Sequence, residues 1–212
     1  MRVRRRSIEI VLAAIAILAL AAACGRNAPA PAEGPLAILV TNDDGVEAPG
    51  ILALAEALRP LGTVTVAAPD GNRTGASHGV TSERPIAVRD VERDGIRWIA
   101  IDALPATCVR LAVEELLPSK PNIVLSGINR GENLGTVTFY SATVGAAREA
   151  AFLGSPAIAI NLVTAKGADF GTAAGIAIAT RPSWAPPMSA SSDTWPGSTR
   201  SSSTASPSPT RS

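Results

Sequence analysis

Asp43 and Asp44 are adjacent acids followed by Gly45, and they close the apolar run Leu36, Ala37, Ile38, Leu39 and Val40. Such a run reads as a strand buried on both faces, with the two carboxylates at its carboxyl end. Asp-Asp-Gly is an ordinary turn. At a strand's carboxyl end in an α/β sheet, the same pair also offers hard oxygen ligands for a divalent cation. Two more clusters carry matching chemistry. The stretch P-D-G-N-R-T-G-A-S-H-G, from Pro69 to Gly79, combines glycines with Asn72, Thr74, Ser77 and His78; it reads as a ligand loop or as a flexible surface loop. The stretch S-G-I-N-R-G-E-N-L-G, from Ser126, leads to Ser141 and Thr143 before a helical pattern. That helix start can be a plain cap or can hold a phosphate.

Taken together, Asp43 and Asp44 supply charge for a metal, while Thr74 and Asn129 supply neutral oxygens. Amides from the glycines and the Ser141–Thr143 helix start suit an anion. The expected catalytic set is Asp43, Asp44 and Asn129. Asn42, Thr74, Gly75, Ser141 and Thr143 are expected on the phosphate side. A metal beside an anion cradle points to phosphate chemistry, and to hydrolysis of a monoester rather than transfer. The chain has no G-x-x-x-x-G-K-[ST] and no G-x-G-x-x-G after a strand, which weighs against triphosphatase and dinucleotide readings. A signalling receiver domain also carries an acidic pair, but it needs an acceptor Asp ending a middle strand and a late Lys. The expected middle strand ends at Ser126 and the late one at Asn161.

The elements that must position these groups alternate. Strands are expected near residues 36–40, 63–68, 122–125 and 157–160. Helices are expected over 48–61, 106–117, from Ser141 to about Leu153, and over 168–179. Segments 86–88 and 97–101 suggest a small antiparallel hairpin to which no function is assigned. The pattern predicts an α/β fold, a Rossmann-like three-layer αβα sandwich with a mostly parallel sheet, whose strand ends bring the loops into one crevice. Cys108 recurs with Leu111, Ala112 and Leu116 near helical spacing and reads as a buried thiol. His78, the only histidine, reads as a polar loop residue ahead of a general base.

With 212 residues, 46% hydrophobic, 17% charged and a net charge of +1, the chain suits one core without a basic face, and no nucleic-acid polymer is expected as a partner. Arg2, Arg4, Arg5 and Arg6 precede an apolar run from Ile10 to Ala23 that closes at Cys24. This reads as a signal peptide over 1–24 and resembles a lipobox, with Ala21 where that pattern more often has Leu. The expected mature protein is exported, periplasmic or held in the cell envelope through acylated Cys24, with 25–35 as a linker. From Arg181 to Ser212 there is no Ile, Leu, Val or Phe. That tail reads as low-complexity and disordered, and the abrupt change suggests a frameshift or a truncated domain over 36–180.

Four motifs in order, L-V-T-N-D-D-G, A-P-D-G-N-R-T-G-A-S-H-G, S-G-I-N-R-G-E-N-L-G and Y-S-A-T-V-G-A-A, resemble the SurE family of survival-protein phosphatases over about Leu36 to Leu162. The resemblance implies metal-dependent hydrolysis of nucleoside monophosphates, 5′ and sometimes 3′, with one Mg or Mn ion. It implies Asp43, Asp44, Thr74 and Asn129 as metal ligands and Ser141 and Thr143 at the phosphate. Thr74 replaces a usual Ser, Ala142 a usual Gly, and Leu104 and Thr107 the Thr and Asp of D-G-T-P-x-D-C. The family's C-terminal hairpin and swapped segments, which make homo-oligomers, have no counterpart after Thr180. A catalytically impaired remnant that still binds metal or nucleotide is the alternative reading.

Overall fold

The apolar run after Pro35 becomes β1 (Leu36–Thr41) in the computed structural model, which describes residues 35–93, 95–163 and 169–179. Leu39 and Val40 are successive, so they face opposite sides of the sheet, and both are fully buried. Only a strand covered on both faces allows that. β1 lies between two parallel neighbours, β2 (Gly62–Pro69) and β5 (Ile123–Arg130). β6 (Ala157–Leu162) continues in parallel beside β5. On the other side β4 (Arg97–Ile101) runs parallel to β2, and β3 (Val88–Val91) closes that edge antiparallel to β4. The strand order is β3-β4-β2-β1-β5-β6. Five strands therefore release their carboxyl ends along one edge.

Helices cover both faces. α1 (Pro49–Leu58) buries Ile51, Leu54, Ala55 and Leu58, and a single 3-10 turn over Arg59–Leu61 follows it. Its N-terminus has no side-chain cap. Full burial of a Leu or Ile contributes about 1.5–3 kcal/mol, against about 1 kcal/mol for a cap, so packing holds this helix. α2 (Pro105–Leu111) widens into a π-type turn over Ala112–Leu116. It packs with α3 (Ala142–Phe152), while α1 packs with α4 (Phe170–Ala179). Leu39, Ala67, Ile99 and Val124 of the sheet meet Cys108, Val109, Ala146 and Ala150 in one apolar cluster. Cys108 is buried there as expected, and burial pushes its thiol well above its ordinary range.

The doubly wound α/β expectation holds, with three adjustments. The first strand of the small hairpin is 88–91, not 86–88, and its partner β4 is a full member of the parallel sheet. The strand expected over 122–125 continues to Arg130. It pairs Asn129 with Asn161 and Arg130 with Leu162 beyond an irregularity after Ser126. The last helix is described from Phe170. The expected signal segment with Cys24, the linker up to residue 34 and the tail over 181–212 lie outside the described residues. Among the described residues no helix is long and apolar enough to cross a membrane.

Candidate metal and phosphate site

The turn after β1 is braced from within. Asn42 Oδ1 accepts from Gly45 N at 3.2 Å and its Nδ2 donates to Gly45 O at 2.9 Å. Asn42 thus braces the turn that carries the two aspartates. Gly45 has φ of +106°, and a Cβ there would lie 3.0 Å from the Gly71 backbone. Glycine alone permits that turn to sit against the loop after β2. Asp43 is only 3% exposed. Its Oδ1 accepts from Thr143 Oγ1 at 2.6 Å, and its backbone O accepts from Arg73 N at 2.7 Å. Burial raises the Asp43 pKa, and the Thr143 hydroxyl offsets part of that rise. Asp44 is raised by burial and then by the charge of Asp43, with Arg130 pulling the other way.

The loop after β2 is anchored through Arg73. Its guanidinium donates to Asp70 at 2.9 Å and to Asp102 at 3.1 Å, and Arg84 donates to Asp102 at 2.7 Å. Asp102 follows β4 directly. Thr74 is exposed, its amide donating to Asn72 Oδ1 at 2.9 Å, and Gly75 has φ of +79° with open space where a Cβ would stand. Ser77 Oγ then donates to Phe139 O at 2.8 Å.

The third group comes from β5 and α3. Thr41, the last residue of β1, pairs with Ser126, and β5 runs on from there through Asn129 to Arg130. Asn129 Nδ2 donates to Gly131 O at 2.9 Å, leaving Oδ1 as a neutral acceptor. Ser141 is the cap of α3, its Oγ accepting from Val144 N at 3.2 Å. Thr143 is fully buried against Asp43. Asp43 and Thr143 are thus in direct contact, the Arg73 amide ties the residue before Thr74 to Asp43, Ser141 stands two residues before Thr143, and Asn129 lies near the end of β5. The Thr74 side chain makes no bond to the others.

A hard divalent cation fits this donor set. Among the described residues neither Asp43 nor Asp44 has a Lys or Arg within ion-pair distance. Arg130, which pulls the Asp44 pKa down, is stacked over Phe170 at 5.7 Å. A buried carboxylate such as Asp43, with a second carboxylate beside it and no cation, is costly. No cluster of three or more His, Cys, Asp or Glu exists among the described residues, so the available ligands are two carboxylates and neutral oxygens. That chemistry suits a hard, oxygen-ligated divalent cation and not a thiolate- or imidazole-bound metal.

A family profile described as "Survival protein SurE" matches residues 38–195. The chain belongs to the SurE family. It is 50% identical over 141 residues to the 5'-nucleotidase SurE of Methylococcus capsulatus, covering 66% of this chain and 55% of that protein. It is 52% identical over 141 residues to that of Geobacter sulfurreducens, covering 66% and 53%. The crystal structure of SurE from Aquifex aeolicus aligns with TM-score 0.61 and 41% identity, over 67% of this chain and 57% of that one. The chain thus spans about half the length of the curated relatives it matches.

The departures from the SurE pattern are accommodated locally. Thr107, in place of a usual Asp, accepts from Thr81 N at 2.7 Å through Oγ1, and Thr81 Oγ1 accepts from Leu104 N at 2.9 Å. This reciprocal pair ties the loop to the start of α2. Ala142 is fully buried in the first turn of α3. Sequence reasoning passed over Arg73, Asp102 and Glu149. The signal for Asp102 was its place after an apolar strand, the same signal that exposed Asp43.

Proposed function

We propose that this chain hydrolyses nucleoside monophosphates with one bound Mg or Mn ion. The carrying observation is the buried Asp43 carboxylate with half-buried Asp44 beside it, neither within ion-pair distance of a basic side chain among the described residues, next to the capped N-terminus of α3. Asp43 and Asp44 are the charged ligands in this reading, with Asn129 Oδ1 and the Thr74 hydroxyl as neutral ones. A bound divalent ion supplies charge to polarise a phosphoryl oxygen and lowers the pKa of a water. Thr143 keeps one oxygen of Asp43 occupied, which fixes the direction of the other. Ser141 spends its oxygen on Val144 N, so its hydroxyl proton is free to donate to a phosphate. The first amides of α3 have no intrahelical partner and add their dipole. Gly75, with open space beside it, lets the loop backbone approach the ligand.

The acidic pair defines the phosphate end only, so the base and the choice of 5′ or 3′ ester are to be read from a substrate screen. Export and anchoring through Cys24 belong to the same proposal, supported by the Arg-rich start and apolar run of the sequence; globomycin-sensitive labelling of Cys24 by palmitate tests them. The deciding measurement is phosphate release from a panel of 5′- and 3′-nucleoside monophosphates with EDTA, Mg or Mn. Release only with metal, lost in Asp43→Asn and Asp44→Asn, is expected. Full activity in both variants refutes the site. Nucleotide binding by calorimetry with no release under any metal assigns the chain to the impaired, binding-only reading.

A further inference from the structure

Helix α3 touches both loops that carry the expected ligands. Its first turn holds Asp43 through Thr143 Oγ1 at 2.6 Å. Further along the same helix, Glu149 is buried, its side chain 4% exposed. Glu149 Oε2 lies 2.8 Å from His78 Nε2, and Oε1 accepts from Arg110 Nη2 of α2. An ionised carboxylate only accepts, so His78 presents Nε2–H to it. The His78 ring also stacks on Phe152 with centroids 5.6 Å apart. Between these contacts Gly145 brings helix and loop together: a Cβ there would lie 2.5 Å from Ser77 O and 3.1 Å from His78 Cα.

The loop after β2 therefore has two pins. Arg73 fixes one end to Asp43, Asp70 and Asp102, and the His78–Glu149 pair fixes the other to α3. Only Thr74, Gly75, Ala76 and Ser77 lie between them. A buried carboxylate needs a partner, and Arg110 already satisfies one oxygen of Glu149. Packing of α2 on α3 does not require the second oxygen, which is committed to the ligand loop.

We propose that Glu149 and His78 are a positioning pair that sets the Thr74 loop against Asp43, so that one rigid helix fixes the distance between two metal ligands. The proposal rests on the metal-site reading above. Neither residue is among the ligands assigned above. Groups behind first ligands commonly change metal affinity by about 10–100-fold when lost.

The test uses the full chain without substrate, measuring Mn²⁺ affinity by the electron paramagnetic resonance signal of the free ion, tryptic cleavage after Arg73, and melting in EDTA. Measured well below its melting temperature, which falls because Glu149 Oε2 loses its partner, His78→Ala is expected to weaken Mn²⁺ binding about tenfold and to speed cleavage after Arg73. His78→Gln is expected to restore both, because the amide nitrogen of Gln can stand where Nε2 stands. Wild-type affinity in His78→Ala overturns the proposal and leaves the metal site standing. Lost affinity that follows a lower melting temperature and is not restored by Gln also overturns it, in favour of plain packing. A wild-type chain that binds no Mn²⁺ overturns the metal-site reading, and the proposal with it.

Discussion

Replacing Asp43 by Asn should shift stability in opposite directions with and without metal. Asp43 is 3% exposed, accepts one hydroxyl proton from Thr143, and has Asp44 beside it with no basic partner among the described residues. Its folded-state pKa is raised, burial being the largest cause. A carboxyl raised in the folded state costs no stability below its unfolded pKa. The cost builds as pH rises from that value to the folded one, and it is complete above. At near-neutral pH, above the unfolded pKa, the wild type in EDTA carries this cost, and Asn removes it while keeping an oxygen for Thr143. Relief of a functional-site strain of this kind is worth about 0.5–2 kcal/mol. At about 2–4 °C per kcal/mol for a domain of this size, Tm should rise by about 1–8 °C. Mn²⁺ at a hundred times its Kd adds about 2.7 kcal/mol to the wild type, or about 5–11 °C at the same conversion, and adds little to Asp43→Asn. The order of the two proteins should therefore reverse on adding metal. Below about pH 4, where free carboxyls are protonated, the advantage of Asn in EDTA should vanish. Thermal melts of both proteins in EDTA and in Mn²⁺ decide the matter. If Asn lowers Tm in EDTA, or if both proteins gain equally from Mn²⁺, the carboxylate is not a strained ligand awaiting a cation.

Gly145→Ala isolates the contact of α3 with the ligand loop. On helix propensity alone it should stabilise by up to about 1 kcal/mol. The new Cβ would instead meet Ser77 O at 2.5 Å, a backbone atom that cannot rotate away; a net loss of about 1–3 kcal/mol in urea unfolding is expected, and a gain would show that the loop yields freely. Cys108 is fully buried with its Sγ 3.7 Å from Ala103 O, and its thiolate is disfavoured by burial. In a Cys24→Ser chain a thiol reagent should therefore titrate nothing in the native protein and one thiol in guanidinium. Rapid native labelling would contradict the packing of α2 on the sheet.

Elements made of uninterrupted apolar runs were legible in the sequence, because a strand covered on both faces leaves no other pattern. β1, β2 and their helices follow it closely. Asp43 and Asp44 stood out in the sequence for a related reason: two adjacent carboxylates just past such a run need a partner or solvent, and the structure buries Asp43 against Thr143 while Asp44 stays half-buried. The place of β4 was not legible. Local alternation around Asp94 and Gly95 describes a hairpin equally well whether it stands apart or joins the sheet, and only the pairing of Thr65 with Arg97 through Pro69 with Ile101 decides it. With β4 in the sheet, Asp102 arrives at the same edge as Asp43 and grips Arg73, a role invisible while the hairpin looked peripheral.

Glu149 presents the converse case, a signal present in the sequence whose meaning depends on distant residues. Ala142, Gly145, Ala146, Glu149 and Ala150 recur three and four apart, so they share one face of α3, and all are buried. A glutamate on a face of small residues must find a partner inside the protein, since neither solvent nor alanine supplies one. The periodicity alone demands such a partner without naming it. His78 is 71 residues away along the chain and Arg110 is 39 away, and no local pattern links them. The small residues on that face let the loop come close, and the one large charged residue holds it there. Thr143 reaches from the first turn of the same helix to Asp43. α3 therefore acts less as a cover for the sheet than as the rod on which two loops of the candidate site are hung.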